Sequence, residues 1–437
     1  MAQIVAVAIG AVLMLERIPG LPSWDTIYGE DYWEYLTQAL QQPWHLFITL
    51  GGYEQLLPRA LAQFAIYLPL ARVSRWFAVC GALIAAGCGL FVFHASAGHI
   101  RSWPLRAVLG AAVVLSPVAP MEIADSGVGA PWFLWLALFW ALLWRPRTRA
   151  GMAVATLVAF AATSSEVFNV LFAPLVVARL LVLRRPGEHA VTAGWLAGCL
   201  LQVPQVLSSY LDGTSRMDRQ QGRLGQSFAF YFHDTVLRSI GWRFSWRLES
   251  VAGANGATLI VAAALAVLVG AILVTQLGNR PFVVTAMLTG FVFSMTATTF
   301  TPNVAAYPIV RPDLESGSRY SVLPIFLIEA IAIVGVDYAV RQRRSTEYRR
   351  STEYRRAVQH RRRTSLRPAI AVSALIALLM ASWVADFRYA GFRTDAAWAW
   401  APIAAKWEHA CERSRSGEIV VKAGGYLQTL PCARIRR

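Results

Sequence analysis

The chain has 437 residues, 56% of them hydrophobic and only 15% charged, with a mean hydropathy of +0.45. That composition excludes an ordinary soluble globular protein and predicts a polytopic membrane protein. The 41 Lys and Arg outnumber the 25 Asp and Glu, giving a formal charge of +16, but the basic residues flank apolar stretches with no nucleic-acid-binding pattern; membrane lipid is the expected partner and nucleic acid is not.

A bilayer crossing takes about 20 apolar residues. Candidate segments fall near 2–15, 76–96, 106–120, 131–144, 150–165, 167–183, 190–207, 256–277, 281–300, 320–340 and 368–386. The expected fold class is therefore an all-α polytopic membrane protein with about eleven transmembrane helices. Met1 leads directly into apolar sequence with no basic n-region and no small-residue cleavage site, which predicts an uncleaved first helix. Short linkers at 99–106, 145–149, 184–185 and 278–280 are rich in arginine, as is the linker at 341–367, whereas those around Glu122 and Ser164 carry no Lys or Arg. The positive-inside bias then places the protein in the cytoplasmic membrane, N-terminus cytoplasmic and C-terminus extracytoplasmic. Residues 1–386 make the membrane domain, with a first outer loop at 16–75, an outer loop at 208–255 and the basic linker 341–367 inside. Residues 387–437 make a small outer cap.

In chain order, Pro19 and Pro22 end the first helix and open a loop that gathers Asp25, Glu30, Asp31 and Glu34. From Glu30 the run DYWEYLTQALQQ reads as an amphipathic helix, its Tyr32, Tyr35, Leu36 and Leu40 recurring at helical spacing. Its rings suit a headgroup layer, so it is expected to lie along the membrane. Gly51 and Gly52 permit a turn, and LLPRALAQFAIYLPLA forms a second interfacial helix with Pro58 near its start. Three prolines and two glycines surround Glu122 and Asp125, predicting an irregular outer loop that lines a cavity. Ser164, Ser165, Glu166 and Asn169 follow at a similar level. Past the 208–255 loop, residues 301–319 close on Arg319 and Tyr320 at the mouth of the tenth helix. The repeat STEYRRSTEYRR at 345–356 looks like a slippage duplication without catalytic role. In the tail a helix, a short strand and a return turn are expected, pinned by Cys411 and Cys432, which lie outside where a disulfide is permitted. Cys80, Cys88 and Cys199 lie in apolar spans and read as packing residues.

For each candidate a plain structural account stands beside the chemical one. Glu30 and Asp31 open a helix, where carboxylates favour the dipole; equally, a partly desolvated carboxylate there takes a proton from a sugar or alcohol hydroxyl, and Asp31 is the first choice for that base. Asp25, Glu122 and Asp125 are either solvated loop acids or substrate contacts. Glu166 and Glu329 border or enter spans, where ionisable groups are costly and face a bundle interior or a wet cavity, or else pair with a cation such as Arg319. Arg319, beside Tyr320, is the strongest phosphate ligand through its planar fork, with Arg311 second. The histidines are scattered and no cysteine has a CxxC partner, so no metal site or cofactor is assigned. A divalent cation would assist only if Asp31, Glu122 and Asp125 converge.

An acid pair opening an amphipathic helix, a glycine turn and a second interfacial helix with an early proline resembles the GT-C superfamily of membrane glycosyltransferases. The layout also resembles a group of actinobacterial polytopic membrane proteins through GGYEQLLPR, the Glu122 loop, GSRY and the closing LPC. The resemblance implies a polyprenyl-phosphate-linked sugar donor, a glycan or other cell-envelope acceptor, Asp31 or Glu30 as catalytic acid group and Arg319 on the donor phosphate. The chain departs from the superfamily in lacking the lysine and paired prolines after the first interfacial helix. The competing expectations are a transporter or flippase for a lipid-linked glycan, which would favour internal repeats and midplane sites, and a non-catalytic envelope scaffold.

Overall fold

The computed structural model describes residues 1–49, 52–117, 123–182, 189–212, 223–300, 319–352, 370, 373–374, 376–388, 397–423 and 426–435. Within them the chain forms α1 (Ala2–Leu15), the short strand β1 (Thr26–Tyr28), and a π-helical turn Asp31–Leu36 that runs on into α2 (Thr37–Gln41). Then come α3 (Leu56–Ala65), α4 (Val73–Ala95), α5 (Trp103–Leu115), α6 (Ala130–Leu143) and α7 (Arg149–Ser165). A 3-10 turn Val167–Phe172 leads into α8 (Ala173–Val182), followed by α9 (Ala190–Leu211) and α10 (Leu224–Phe230). A second π-helical turn, Tyr231–Val236, precedes α11 (Trp242–Thr275), α12 (Arg280–Phe300) and α13 (Arg319–Thr352). The last apolar helix is α14 (Ile376–Ala385). The tail holds β2 (Ala397–Ala399), α15 (Trp400–Arg413), β3 (Glu418–Ala423), β4 (Tyr426–Pro431) and α16 (Cys432–Ile435).

Each of the eleven segments expected from hydropathy carries helix. Among the described residues, five stretches, Leu70–Gly98, Ala190–Leu211, Trp242–Thr275, Leu277–Phe300 and Arg319–Arg341, are long and apolar enough to cross a membrane. The helices within Ala2–Leu15, Trp103–Leu115, Ala130–Leu143, Val167–Val182 and Ile376–Ala385 are apolar but shorter. Gly253, at φ +72°, interrupts α11 and separates a polar opening from the apolar remainder. Helix α13 continues through the first copy of the STEYRR repeat to Thr352, so the basic linker begins as helix rather than as a loop.

Helix α6, APWFLWLALFWALL, is buried on every face from Ala130 to Leu142, as expected of a helix that is apolar all round. It packs against α4, α7 and α13 and forms, with the buried run Tyr320–Val336, the axis of the main core. Small residues let neighbours approach: added Cβ atoms at Gly89 and Gly110 would lie 2.6 and 2.7 Å from the opposing carbonyl oxygens, the close backbone contact typical of membrane helices. Asp337, fully buried, accepts the backbone amides of Arg101 and Ser102 at 3.3 and 2.9 Å and pairs with Arg341 at 2.6 Å. The arginine-bearing start of α5 and position 341 therefore share one end of the bundle. The acidic loop and the tail share the other.

At that acidic end the tail does more than cover the surface. Strand β2 pairs antiparallel with β1, Ile27 opposite Trp398, and β3 pairs with β4. Trp400 is fully buried and donates its indole N–H to the Leu70 carbonyl at 2.6 Å, while the rings of Trp398, Trp400 and Trp407 surround Tyr32. Cys411 and Cys432 form a disulfide. Among the described residues the all-α expectation thus holds for the membrane domain, with two small sheets added in loop and tail. One expectation is narrowed: the Tyr32, Tyr35 and Leu36 face of the helix opened by Glu30 is not turned toward a headgroup layer, because it is buried beneath the tail and α3. The exposed rings of this loop are instead Trp44, Phe47, Phe64 and Tyr67.

Candidate functional site

Four segments far apart in sequence meet at the acidic end: the π turn after Glu30, the residues before α3, the α7 terminus and the first turn of α13. Arg319 lies 3.9 Å from the Glu30 carboxylate, both about one-quarter exposed, with its guanidinium 5.7 Å from the Trp132 ring centre and 5.4 Å from that of Tyr320. A guanidinium braced by rings keeps its fork in one orientation. Tyr320 in turn meets Trp132 edge-on at 5.2 Å. Beyond them Tyr53 donates its hydroxyl to Glu166 at 3.4 Å.

Glu166 sits in extended backbone just past α7, 4% exposed. Burial pushes its carboxyl up to about 7, against the pull of the Arg319 charge, the amides of Phe168 and Val167 and the Tyr53 hydroxyl. Burial and the neighbouring Glu166 carboxylate raise the Tyr53 phenol well above its ordinary value. A carboxyl that titrates near neutrality, next to a fixed cation and a hydroxyl, has the properties of an acid–base group.

Asp31 takes another part. It is 1% exposed, and its two oxygens accept the backbone amides of Gly127 and Val128 at 2.8 and 2.9 Å. The carboxylate thereby ties the π turn to the turn preceding α6. The fit is tight, since a Cβ on Gly127 would stand 2.9 Å from both Asp31 Oδ1 and the Phe77 ring. Asp31 positions its neighbour Glu30, which faces Arg319.

Beneath these residues lies a buried polar layer outside the predicted candidates. Arg59, 2% exposed, donates to Gln38 Oε1 at 2.7 Å, lies 4.0 Å from Glu54 and faces the Tyr35 ring at 5.6 Å. Gln202 of α9 holds the Glu54 backbone in both directions, accepting its N–H at 2.9 Å and donating to its carbonyl at 2.8 Å. Burial raises Glu54 to about 7 as well. The signal available in sequence was Tyr53-Glu54-Gln55 and Arg59 in an otherwise apolar stretch, polar groups that need buried partners.

The other candidates go elsewhere. Asp25 is half-exposed and 3.9 Å from Arg75. Asp125, 2% exposed with φ +52°, accepts the Ser23 hydroxyl at 2.7 Å and shapes the turn before α6. Glu329 is fully buried along α13 and accepts from Trp383 Nε1 at 3.0 Å and Ser116 Oγ at 3.3 Å. Glu122 and Arg311 lie outside the described residues. Among the described residues no group of three His, Cys, Asp or Glu side chains is placed to hold a metal ion. Of the predicted set, Glu30, Glu166, Arg319 and Tyr320 come together, with Asp31 behind them. Comparison with known proteins finds no family model and no curated protein that matches this chain.

Proposed function

We propose that the protein is a membrane glycosyltransferase that moves a sugar from a polyprenyl-phosphate donor to a glycan or other acceptor outside the cytoplasmic membrane. The observation that carries this reading is Arg319 paired with Glu30 at the end of the bundle, close enough to Glu166 for its charge to act on that carboxyl. In the proposed reaction the bond between the anomeric carbon and the phosphate oxygen breaks, and its electron pair leaves on a phosphate paired with Arg319. The acceptor oxygen bonds to that carbon and passes its proton to Glu30, which Asp31 keeps in place, and Glu166 supplies a second titrating group. The disulfide on the same end supports an oxidising, extracytoplasmic side.

The test is sugar transfer by purified protein in lipid, with a panel of polyprenyl-phosphate sugars, beside binding of a non-transferable analogue. Arg319→Ala is expected to weaken analogue binding about tenfold or more. Glu30→Gln is expected to slow transfer about 100-fold while binding persists. Absence of both transfer and analogue binding across the panel would overturn the proposal.

A second reading, a transporter or flippase for a lipid-linked glycan, draws on Glu329, because ionisable groups buried in spans mark transport pathways. Its test is movement of the intact lipid-linked glycan between leaflets of proteoliposomes without covalent change.

A further inference from the structure

The second π-helical turn carries a polar cluster that the proposed reaction leaves unused. Asp234 is 5% exposed, and neither of its carboxylate oxygens accepts a hydrogen bond from the described residues. His233 stands beside it, Nδ1 3.8 Å from Asp234 Oδ1 and Nε2 3.7 Å from Glu249 Oε1. Arg238, fully buried, pairs with Glu249 at 3.0 Å, donates to Ser245 Oγ at 2.6 Å and lies over the Trp242 ring at 4.7 Å. His233 and Glu249 are each 17% exposed, and the partly exposed Trp246 ring centre lies 6.0 Å from the Arg238 guanidinium.

A buried carboxylate whose nearest side-chain donor, His233 Nδ1, stands 3.8 Å away is poorly compensated for its lost hydration. Burial accordingly raises the Asp234 carboxyl, while His233 and Arg238 draw it back and Glu249 pushes it further up. The partly exposed His233 imidazole and Glu249 carboxylate beside it carry the N–H donors and oxygen acceptors that pair with hydroxyl groups. Two carboxylates against one guanidinium disfavour a phosphate. A partly exposed aromatic face such as that of Trp246, near this polar group, suits the apolar face of a sugar ring.

The cluster is also fixed relative to the Arg319 site. Thr235 and Ser321 meet hydroxyl to hydroxyl at 3.2 Å, both buried, so the turn holding Asp234 is fastened to the α13 turn that bears Arg319. We infer that His233, Asp234 and Glu249 form a second binding site, for a neutral polyhydroxylated sugar group on the acceptor, next to the phosphate-binding Arg319. The inference rests on the glycosyltransferase reading for the word acceptor; the sugar site itself does not.

The experiment uses the full chain in lipid nanodiscs and two separate probes, a panel of methyl glycosides followed by saturation-transfer NMR and polyprenyl phosphate followed by calorimetry. Asp234→Asn and His233→Gln are expected to weaken glycoside binding about tenfold or more and leave polyprenyl phosphate binding unchanged. Arg319→Ala is expected to do the reverse. Glu249→Gln, closer to the surface, serves if the Asp234 variant does not fold, and predicts the same loss. Glycoside binding that is absent in the wild type, or untouched by these substitutions, overturns the inference while phosphate binding still stands for the first site. Phosphate binding that is absent while glycosides bind through Asp234 instead overturns the donor reading and keeps the sugar site.

Discussion

Glu30 and Arg319 face each other at 3.9 Å although most of the membrane domain separates them along the chain. Helix α13 brings the arginine to its first turn, and Asp31 anchors the loop that brings the acid. The neighbouring acids therefore differ in kind, one open to the cluster and one consumed by backbone amides.

That difference predicts divergent phenotypes. Asp31→Asn puts an N–H₂ where one of two backbone amides now finds an acceptor, and should cost about 1–3 kcal/mol of stability. Glu30→Gln should leave the melting temperature nearly unchanged and affect transfer alone. Gly127→Ala provides an independent check, since its Cβ displaces Asp31 Oδ1 and should reproduce the Asp31→Asn loss. Differential scanning fluorimetry in detergent separates these outcomes; a Glu30→Gln melt as low as that of Asp31→Asn would contradict the division.

Glu54 and Glu166 both titrate at about 7 instead of the ordinary 4.5. Their folded forms hold protons that the unfolded chain has released, so stability falls as pH rises from about 4.5 to 7 and levels off above. Glu166→Gln and Glu54→Gln should each remove part of that decline. Infrared difference spectra should show the protonated-carboxyl band shrinking through neutrality, and shrinking less in each variant. A band that disappears by pH 5.5 would rule the titration out.

Opening the bond between Cys411 and Cys432 removes a constraint on a 21-residue separation, worth about 3 kcal/mol in small-loop estimates. The tail grips the acid loop through β1–β2 pairing and the Trp400 indole. The double Cys→Ala variant should therefore show faster proteolysis of both tail and the 26–42 region. Digestion confined to the tail would mean that the two are not coupled.

The segregation of charge between bundle ends predicts a sidedness that labelling can read. Exposed Val420 lies on the disulfide end and exposed Arg147 between α6 and α7 at the other. With Val420→Cys and Arg147→Cys made separately, an impermeant maleimide applied to intact cells should label the first and spare the second. Labelling of the second alone would invert the orientation.

Hydropathy alone located the apolar helices among the described residues, because burying apolar side chains in lipid or core needs only local sequence, and Pro58 near the start of α3 is an equally local signal. The pairing of Cys411 with Cys432 was legible because no other cysteine lies outside an apolar segment. Tertiary structure decided the rest. Asp25, Glu30, Asp31 and Asp125 read alike in the chain, yet one meets Arg75, one Arg319, one two amides and one a serine hydroxyl. Likewise Tyr32 looked like an interfacial ring until the tail's tryptophans closed over it. A carboxylate's role depends on which charge and which donor lie within a few ångströms, and those partners come from segments whose approach no local pattern records.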